Sequence, residues 1–457
     1  MNDGRLRKVR TRTKPIRSVL DSCRYPIAVG FIAASALLSP VASLAQEPAV
    51  DLEHARAYFA EAERLSDIDG GELWGVELYG PLLFVDPGTR SVVANLSAAR
   101  FSAEAGVYTG ELPADQNPAN TAIEWAGRRW TMVVWPLPSN RYNRRRLLAH
   151  EMFHRIQPEL GLPMSNPANA HMATKDGRIW ARLEWRALAE ALIRTGRERT
   201  AALLDALAFR ARRHSLFGDA EEEERLLELN EGLAEYTGLK LSGLPAGVLA
   251  DRAAVALESR ERQPNFARAF AYATGPAYGL LLDESGRSWR EELSAASDLA
   301  ALTADAYGIT PPRGGDAEMR TPAYDGERVI EQETERAERI TAELDLLRAQ
   351  FLTGPVLRLR PGADFRYSFD PNAAVPIPGV GTVYESARVT DEWGVLDVEY
   401  GGVLLARTEA GITEVVVPAP GAGTTPPEAG DGWRLELTEG WRVEPGAQPG
   451  EWVVVRG

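Results

Sequence analysis

The chain has little of what usually anchors a small scaffold. Its 457 residues include one cysteine, five histidines and four lysines, namely Lys8, Lys14, Lys175 and Lys240. A single cysteine excludes a disulfide framework and any zinc finger built on paired thiolates. The near absence of lysine, with arginine carrying the remaining positive charge, reads as genome composition. A formal net charge of -14 leaves no basic surface to neutralise phosphates, so no nucleic-acid partner is expected. Long apolar runs are also missing beyond the first 45 residues, and no later stretch is apolar for the roughly 20 residues a membrane span needs. What is present is 44% hydrophobic and 25% charged, which suffices for two or three domains with real cores and excludes a wholly disordered chain.

The amino terminus reads as an address. Eight basic residues precede the apolar run PIAVGFIAASALLSPVASLA, which ends in Ser43-Leu44-Ala45, the small-residue pattern that signal peptidase accepts. Residues 1–45 are therefore expected to be a signal peptide for export to the periplasm or the medium, by ordinary secretion because no twin arginine occurs. An uncleaved membrane anchor is the rival reading, which Pro40 and the cleavage-like ending disfavour. Cys23 lies before the apolar run, which argues against a lipoprotein anchor. Removal of this leader takes away eight basic and two acidic residues, moves the charge from -14 to -20, and leaves no cysteine, as suits an oxidising compartment.

Hydrophobic periodicity divides the remainder. Residues 51–66 have helical spacing, and 73–136 read as β, with a turn at Asp86-Pro87-Gly88 and a hairpin around Ala126-Gly127. Helices are expected over about 140–157, 178–195, 197–215, 220–241, 264–284 and 290–306, and a charged helix over 326–351. After Gly354, short alternating runs such as VLRLR, GVLDVEY and TEVVV stand between Pro/Gly turns. The expected organisation is a catalytic domain over 46–313, a connecting charged helix over 314–353, and a C-terminal β-sandwich or small barrel over 354–457.

The chemistry concentrates in His150-Glu151-Met152-Phe153-His154, an HExxH motif inside an expected helix. A spacing of four places both imidazoles on one helical face, where they can share one zinc ion. Glu151 projects beside them and can take a proton from a water on the metal. The apolar flanks Leu147, Leu148, Met152 and Phe153 imply that this helix is buried, where two clustered neutral histidines need a metal or another strong partner. The metzincin class is excluded, since Gln157 and Leu160 stand where its Gly and third His would be.

Together with Asn230-Glu231-Gly232-Leu233-Ala234-Glu235, this motif resembles the gluzincin metallopeptidases, the group of thermolysin and the zinc aminopeptidases. The resemblance covers about 130–285. It implies an α+β, zincin-like domain with a small β sheet and a helical part carrying HExxH. It further implies Glu231 as third zinc ligand and Glu235 as the carboxylate that orients His150. The i and i+4 spacing of Glu231 and Glu235 agrees independently, because it puts both on one face. Gly232 in mid-helix suggests that another element packs closely there. The interval from His154 to Glu231 is longer than in thermolysin-like enzymes, which keeps Glu184 open as a competing ligand, although a helix-surface ion pair is its preferred reading. His171 is a further alternative, with a surface imidazole preferred. His54 and His214 are assigned no function, and Glu221–Glu224 read as a solvated first turn.

Tyr272-Ala273-Thr274-Gly275 is similar to the Tyr-x-x-Gly helix of zinc aminopeptidases, which implies Tyr272 as oxyanion stabiliser, with Tyr278 in reserve and a packing role equally open. The aminopeptidase Gly-x-Met-Glu-Asn signature is absent. The strand Trp130–Trp135 is a candidate edge for pairing with an extended peptide. The expected activity is hydrolysis of a peptide or protein substrate by an exported zinc metallopeptidase. A zinc hydrolase of non-peptide amides or esters, and a silent binding protein of the cell envelope, are the alternatives.

Overall fold

The computed structural model describes residues 50–98, 100–310, 316–369, 374–420 and 425–457. The expected signal peptide lies outside these residues. Within them the fold is α+β, with three mostly antiparallel sheets. It forms two compact units that divide between Thr334 and Glu335. Among the described residues no helix is long and apolar enough to cross a membrane.

The larger unit begins with helix α1 (Leu52–Asp69), started by Asp51, whose carboxylate accepts from the His54 backbone N–H. Strands β1 (Leu82–Val85), β2 (Ser91–Ala94), β3 (Ser102–Glu104), β4 (Val107–Glu111), β5 (Thr121–Trp125) and β6 (Arg128–Val134) form one sheet in the order β3-β4-β2-β1-β6-β5. Only the β1–β6 pair is parallel. The β5–β6 hairpin turns through Ala126 and Gly127, both at positive φ (50° and 73°), the backbone a two-residue hairpin loop requires. Strand β1 is buried on both faces. Leu82 and Phe84 face the helical core, while Leu83 and Val85 join Trp130 and Met132 in a smaller core behind the sheet. The apolar segment Leu73–Leu78, expected to be β, instead runs as turns that insert Leu73, Trp74 and Leu78 into the helical core.

The strand Trp130–Trp135, expected as an edge for an extended peptide, is not one: Trp130–Val134 belong to β6, an interior strand held between β1 and β5, and the edge on that side of the sheet is β5.

The helical part comprises α2 (Arg141–Ile156), α3 (Lys175–Ile193), α4 (Gly196–Leu216), α5 (Ala220–Leu227), a π turn (Glu228–Gly232), α6 (Leu233–Lys240), α7 (Leu249–Arg260), α8 (Ala271–Glu284) and α9 (Leu299–Ala306). Asn140 caps α2 by accepting from the N–H groups of Tyr142 and Asn143. Helix α2 packs on α6, and α8 packs on both α6 and the π turn. Met152, Phe153, Leu183, Trp185, Leu229, Tyr236, Phe270 and Leu281 are fully enclosed there, each worth about 1.5–3 kcal/mol relative to exposure. Helix α7 was not anticipated, because Leu249, Ala253 and Leu257 give it only a thin apolar stripe. The stretch expected as one helix over 290–306 is a short 3-10 turn followed by α9.

Helix α10 (Gly326–Arg348), with a π turn at Ala349–Thr353, leads into the smaller unit. There β7 (Val356–Leu359), β8 (Arg366–Phe369), β9 (Ala374–Ile377), β10 (Gly381–Tyr384), β11 (Ala387–Asp391), β12 (Gly394–Val398), β13 (Val403–Thr408), β14 (Gly411–Pro418), β15 (Ala429–Gly430), β16 (Trp433–Leu437), β17 (Trp441–Pro445) and β18 (Glu451–Arg456) make two sheets. Their orders are β17-β18-β7-β14-β13-β10-β9 and β15-β16-β12-β11-β8. Leu357, Leu405 and Val415 from the first meet Val389, Leu396 and Leu435 from the second in one core, which makes the unit a sandwich. Leu347 and Phe351 cover the opposite face of the larger sheet.

Candidate metal centre

The last two turns of α2 carry His150, Glu151 and His154, all buried. The two imidazole Nε2 atoms lie 3.2 Å apart. Glu231, on the π turn, brings Oε2 to 3.4 Å from the His150 Nε2 and 3.6 Å from the His154 Nε2. Ligands about 2.0–2.2 Å from a tetrahedral centre lie roughly 3.3 Å from one another, so these three atoms have the separations of one face of a zinc coordination sphere. Ligand atoms of His150, Glu151 and His154 also fall within 4.8 Å of one another.

The remaining ring nitrogens are held. His150 Nδ1 is 3.1 Å from Glu235 Oε2, and the other oxygen of Glu235 is paired with Arg146, one turn before His150. His154 Nδ1 is 3.0 Å from Gln157 Oε1, and Gln157 Nε2 donates to Asn230 Oδ1 and to the Pro163 carbonyl. Each imidazole thus has a partner that orients its ring, as metal-binding histidines require. Asn230 donates to the Ser165 carbonyl and Asn166 Oδ1, tying the loop after α2 to the π turn. Residues 220–241 were expected to be one regular helix. The π turn adds a residue to the ladder at Glu228–Gly232, which rotates Glu231 relative to the helix before it. Gly232 lies against Gly275 of α8, where an added Cβ at Gly275 would come 2.2 Å from the Gly232 Cα. This is the close approach that a mid-helix glycine at 232 implied.

The charge balance of the cluster is unusual. Three carboxylates, Glu151, Glu231 and Glu235, surround two imidazoles, and the nearby guanidinium groups are Arg146 on Glu235 and Arg268, which donates to Glu231 Oε1 at 3.1 Å. Burial alone would lower the His150 pKa, but the hydrogen bonds to Glu231 and Glu235 push it up to about 10. Burial also works against the Glu231 carboxylate, yet the two imidazoles and Tyr272 hold it well below the usual carboxylate range. Burial pushes the Glu151 carboxyl up, against the pull of both histidines. Its Oε2 is enclosed without a hydrogen-bond partner and, unlike the Oε2 of Glu184, has no arginine at ion-pair distance among the described residues. A dipositive ion between the ring nitrogens would take the place of the proton that Glu231 and Glu235 otherwise hold on His150. The residues fit such an ion by donor type, spacing and charge, although the same donors do not single out zinc.

Tyr272 donates to Glu231 Oε2 at 2.5 Å, and its ring stacks on His150 with centroids 5.6 Å apart. The cluster floors a cavity of about 550 Å³ whose rim includes Asn120 and Thr121 at the start of β5, Asn143, Arg268 and Tyr272.

Other expected positions fall elsewhere. Glu184 is a fully buried residue and not a surface ion pair; it receives the Tyr278 hydroxyl at 2.7 Å and pairs with Arg213 at 2.6 Å. Tyr278, the reserve oxyanion group, is thereby committed away from the cavity. His171 is likewise buried, with Nε2 2.8 Å from Glu224 Oε1, and His214 contacts the same carboxylate at 3.0 Å. Glu224, expected in a solvated turn, is wholly enclosed. The reason is that Arg210 and Arg213 point inward from α4 and draw these carboxylates in. Sequence reasoning missed Arg146, Arg268 and the structural use of Gln157. Their only signal was position, four residues before His150, four before Tyr272 and three after His154.

No known protein family, curated protein or solved structure matches the chain.

Proposed function

We propose that the chain is an exported zinc metallopeptidase of the gluzincin type, its larger unit a zincin-like catalytic domain. The observation that carries this reading is the convergence of His150 Nε2, His154 Nε2 and Glu231 Oε2 at 3.2–3.6 Å beside a buried, unpartnered Glu151 oxygen. His150, His154 and Glu231 would hold the ion, and Glu235 and Gln157 would fix the ring orientations. Bound zinc supplies a Lewis acid that acidifies water and polarises a carbonyl.

Glu151 is the general base in this reading. Its free oxygen accepts the proton of the attacking water and returns it to the departing amine, work that suits a carboxylate whose pKa burial has raised. Tyr272 shares its proton with Glu231 in the resting arrangement and, by a small shift of its hydroxyl, donates to the oxygen on which negative charge develops. An extended peptide adds to the free edge of β5, whose first residue borders the cavity.

Metal analysis of the purified chain tests this directly, with Glu151→Gln alongside. One equivalent of zinc in both proteins, and hydrolysis of a generic protein substrate only by the parent, is the expected result. A parent protein that binds no zinc would sink the proposal.

A further inference from the structure

A second recess opens off the candidate metal site. It encloses about 530 Å³ and shares Asn143, Arg146, Glu235 and Tyr272 with the first cavity, so the two adjoin across these side chains. Its far wall is α7, which presents Arg252, Ala256 and Arg260 at i, i+4 and i+8, one stripe on one helical face. The small Ala256 between the two arginines leaves room for an incoming group, and Leu239, Leu244 and Pro276 give the recess an apolar side.

Its charge runs against the sign of the protein. Within a chain of net charge -14, three guanidinium groups, Arg146, Arg252 and Arg260, line this space with one carboxylate, Glu235. That carboxylate is already shared between Arg146 and His150 Nδ1. Arg260 is half-buried, donates to Gln263 Oε1 at 3.1 Å, and stands 5.7 Å over the Tyr272 ring. Among the described residues no carboxylate lies at ion-pair distance from Arg252 or Arg260. Arg260 is partly desolvated, and such a cation without a counter-charge is costly unless a ligand supplies one, while Arg252 stands exposed at the rim.

We propose that this recess is a specificity pocket for a substrate carboxylate next to the bond that is cleaved, either an acidic side chain or a chain-terminal carboxylate. The inference rests on the peptidase reading for the words "next to the bond", while the pocket's preference for a carboxylate can be measured without turnover. The net charge of the chain would by itself disfavour an acidic substrate; the local field of the recess selects the opposite.

The test uses full-length Glu151→Gln protein and fluorescence anisotropy with three labelled peptides of common length. One has an internal glutamate and an amidated end, one has glutamine and a free carboxylate end, and one has glutamine and an amidated end. At least one carboxylate peptide is expected to bind roughly tenfold tighter than the neutral one, and which of the two does so identifies the source. In an Arg252→Met/Arg260→Met protein with unchanged circular dichroism that ratio should fall toward one, and Arg260→Lys should retain part of it. Equal binding of all three peptides, no binding of any, or a preference that survives the double substitution overturns the inference. Hydrolysis by the parent separates the two ideas. Cleavage without any carboxylate preference removes the pocket and leaves the peptidase. Arginine-dependent carboxylate binding without cleavage of any peptide removes the peptidase and leaves the pocket.

Discussion

Two buried polar clusters lie side by side in the helical unit, and their contrast separates chemistry from architecture. One is His150, His154, Glu151, Glu231 and Glu235. The other is Glu184, Glu224, Glu228, Arg210 and Arg213. They share a π turn, with Glu228 on one side and Glu231 on the other, and they share α8, which gives Tyr272 to the first and Thr274 and Tyr278 to the second. In the second cluster cations come from the chain itself. Arg210 meets Glu228 at 2.9 and 2.8 Å, and Arg213 meets Glu224 at 2.6 Å through two nitrogens. In the first cluster Arg146 and Arg268 reach only Glu235 and Glu231, no arginine among the described residues lies at ion-pair distance from Glu151, and the group floors a cavity. A buried carboxylate therefore indicates function only when the chain leaves its charge unanswered.

The contrast can be broken most sharply at Glu151. Glu151→Gln should lower kcat on a generic protein substrate by roughly 10²- to 10⁴-fold while one zinc per chain remains by elemental analysis. A comparable loss from Glu184→Gln without a loss of stability would erase the distinction between the clusters.

The second cluster should answer in stability instead. Glu224→Gln leaves Arg213 without its two-oxygen partner and is expected to cost about 3–5 kcal/mol in denaturant unfolding at pH 7, with zinc content unaltered. Burial would raise the Glu224 carboxyl, but Arg213 and Arg210 at close range hold it well below its ordinary value. Its contribution is therefore fully present above pH 4.5 and disappears as pH falls through the depressed native pKa. The gap between parent and variant should narrow in acid. A gap that widens there would contradict the ionised assignment.

Glu235 touches His150 and not the ion, so Glu235→Gln should weaken zinc binding about 10- to 100-fold in chelator competition. The smallest effect is expected at the contact that serves both clusters. Gly275→Ala forces backbone against Gly232 and should cost about 1–3 kcal/mol, with a modest loss of zinc affinity because Glu231 is the residue before Gly232. A variant as stable as the parent would mean that the two segments are not packed this tightly.

Much of this was readable along the chain because it is local. The spacing of His150 and His154 and the apolar flanks of α2 need only helix geometry. The Ala126-Gly127 hairpin and the alternating runs after Gly354 follow in the same way from turn chemistry and the two-residue period of a strand. Spacing alone set Glu231 and Glu235 on one helical face, but their roles, and that of Tyr272, came only by resemblance.

What tertiary structure decided is which distant side chains meet. Glu184 and Glu231 are both helical glutamates downstream of the motif, and spacing does not rank them. Packing does, since Arg213 and Tyr278 enclose the first while the π turn carries the second to the imidazoles. Nor could periodicity show that β5 and not β6 is the free edge, because strand order depends on long-range pairing, or that Glu224 lies inside, because it needs arginines from another helix. Sequence by itself determined the donor types and their local faces, since those depend on a few neighbouring residues. The assembled site, the unpaired Glu151 and the basic recess beside it arise from contacts between segments far apart in the chain, as His150 is from Tyr272, and only the folded chain brings them together.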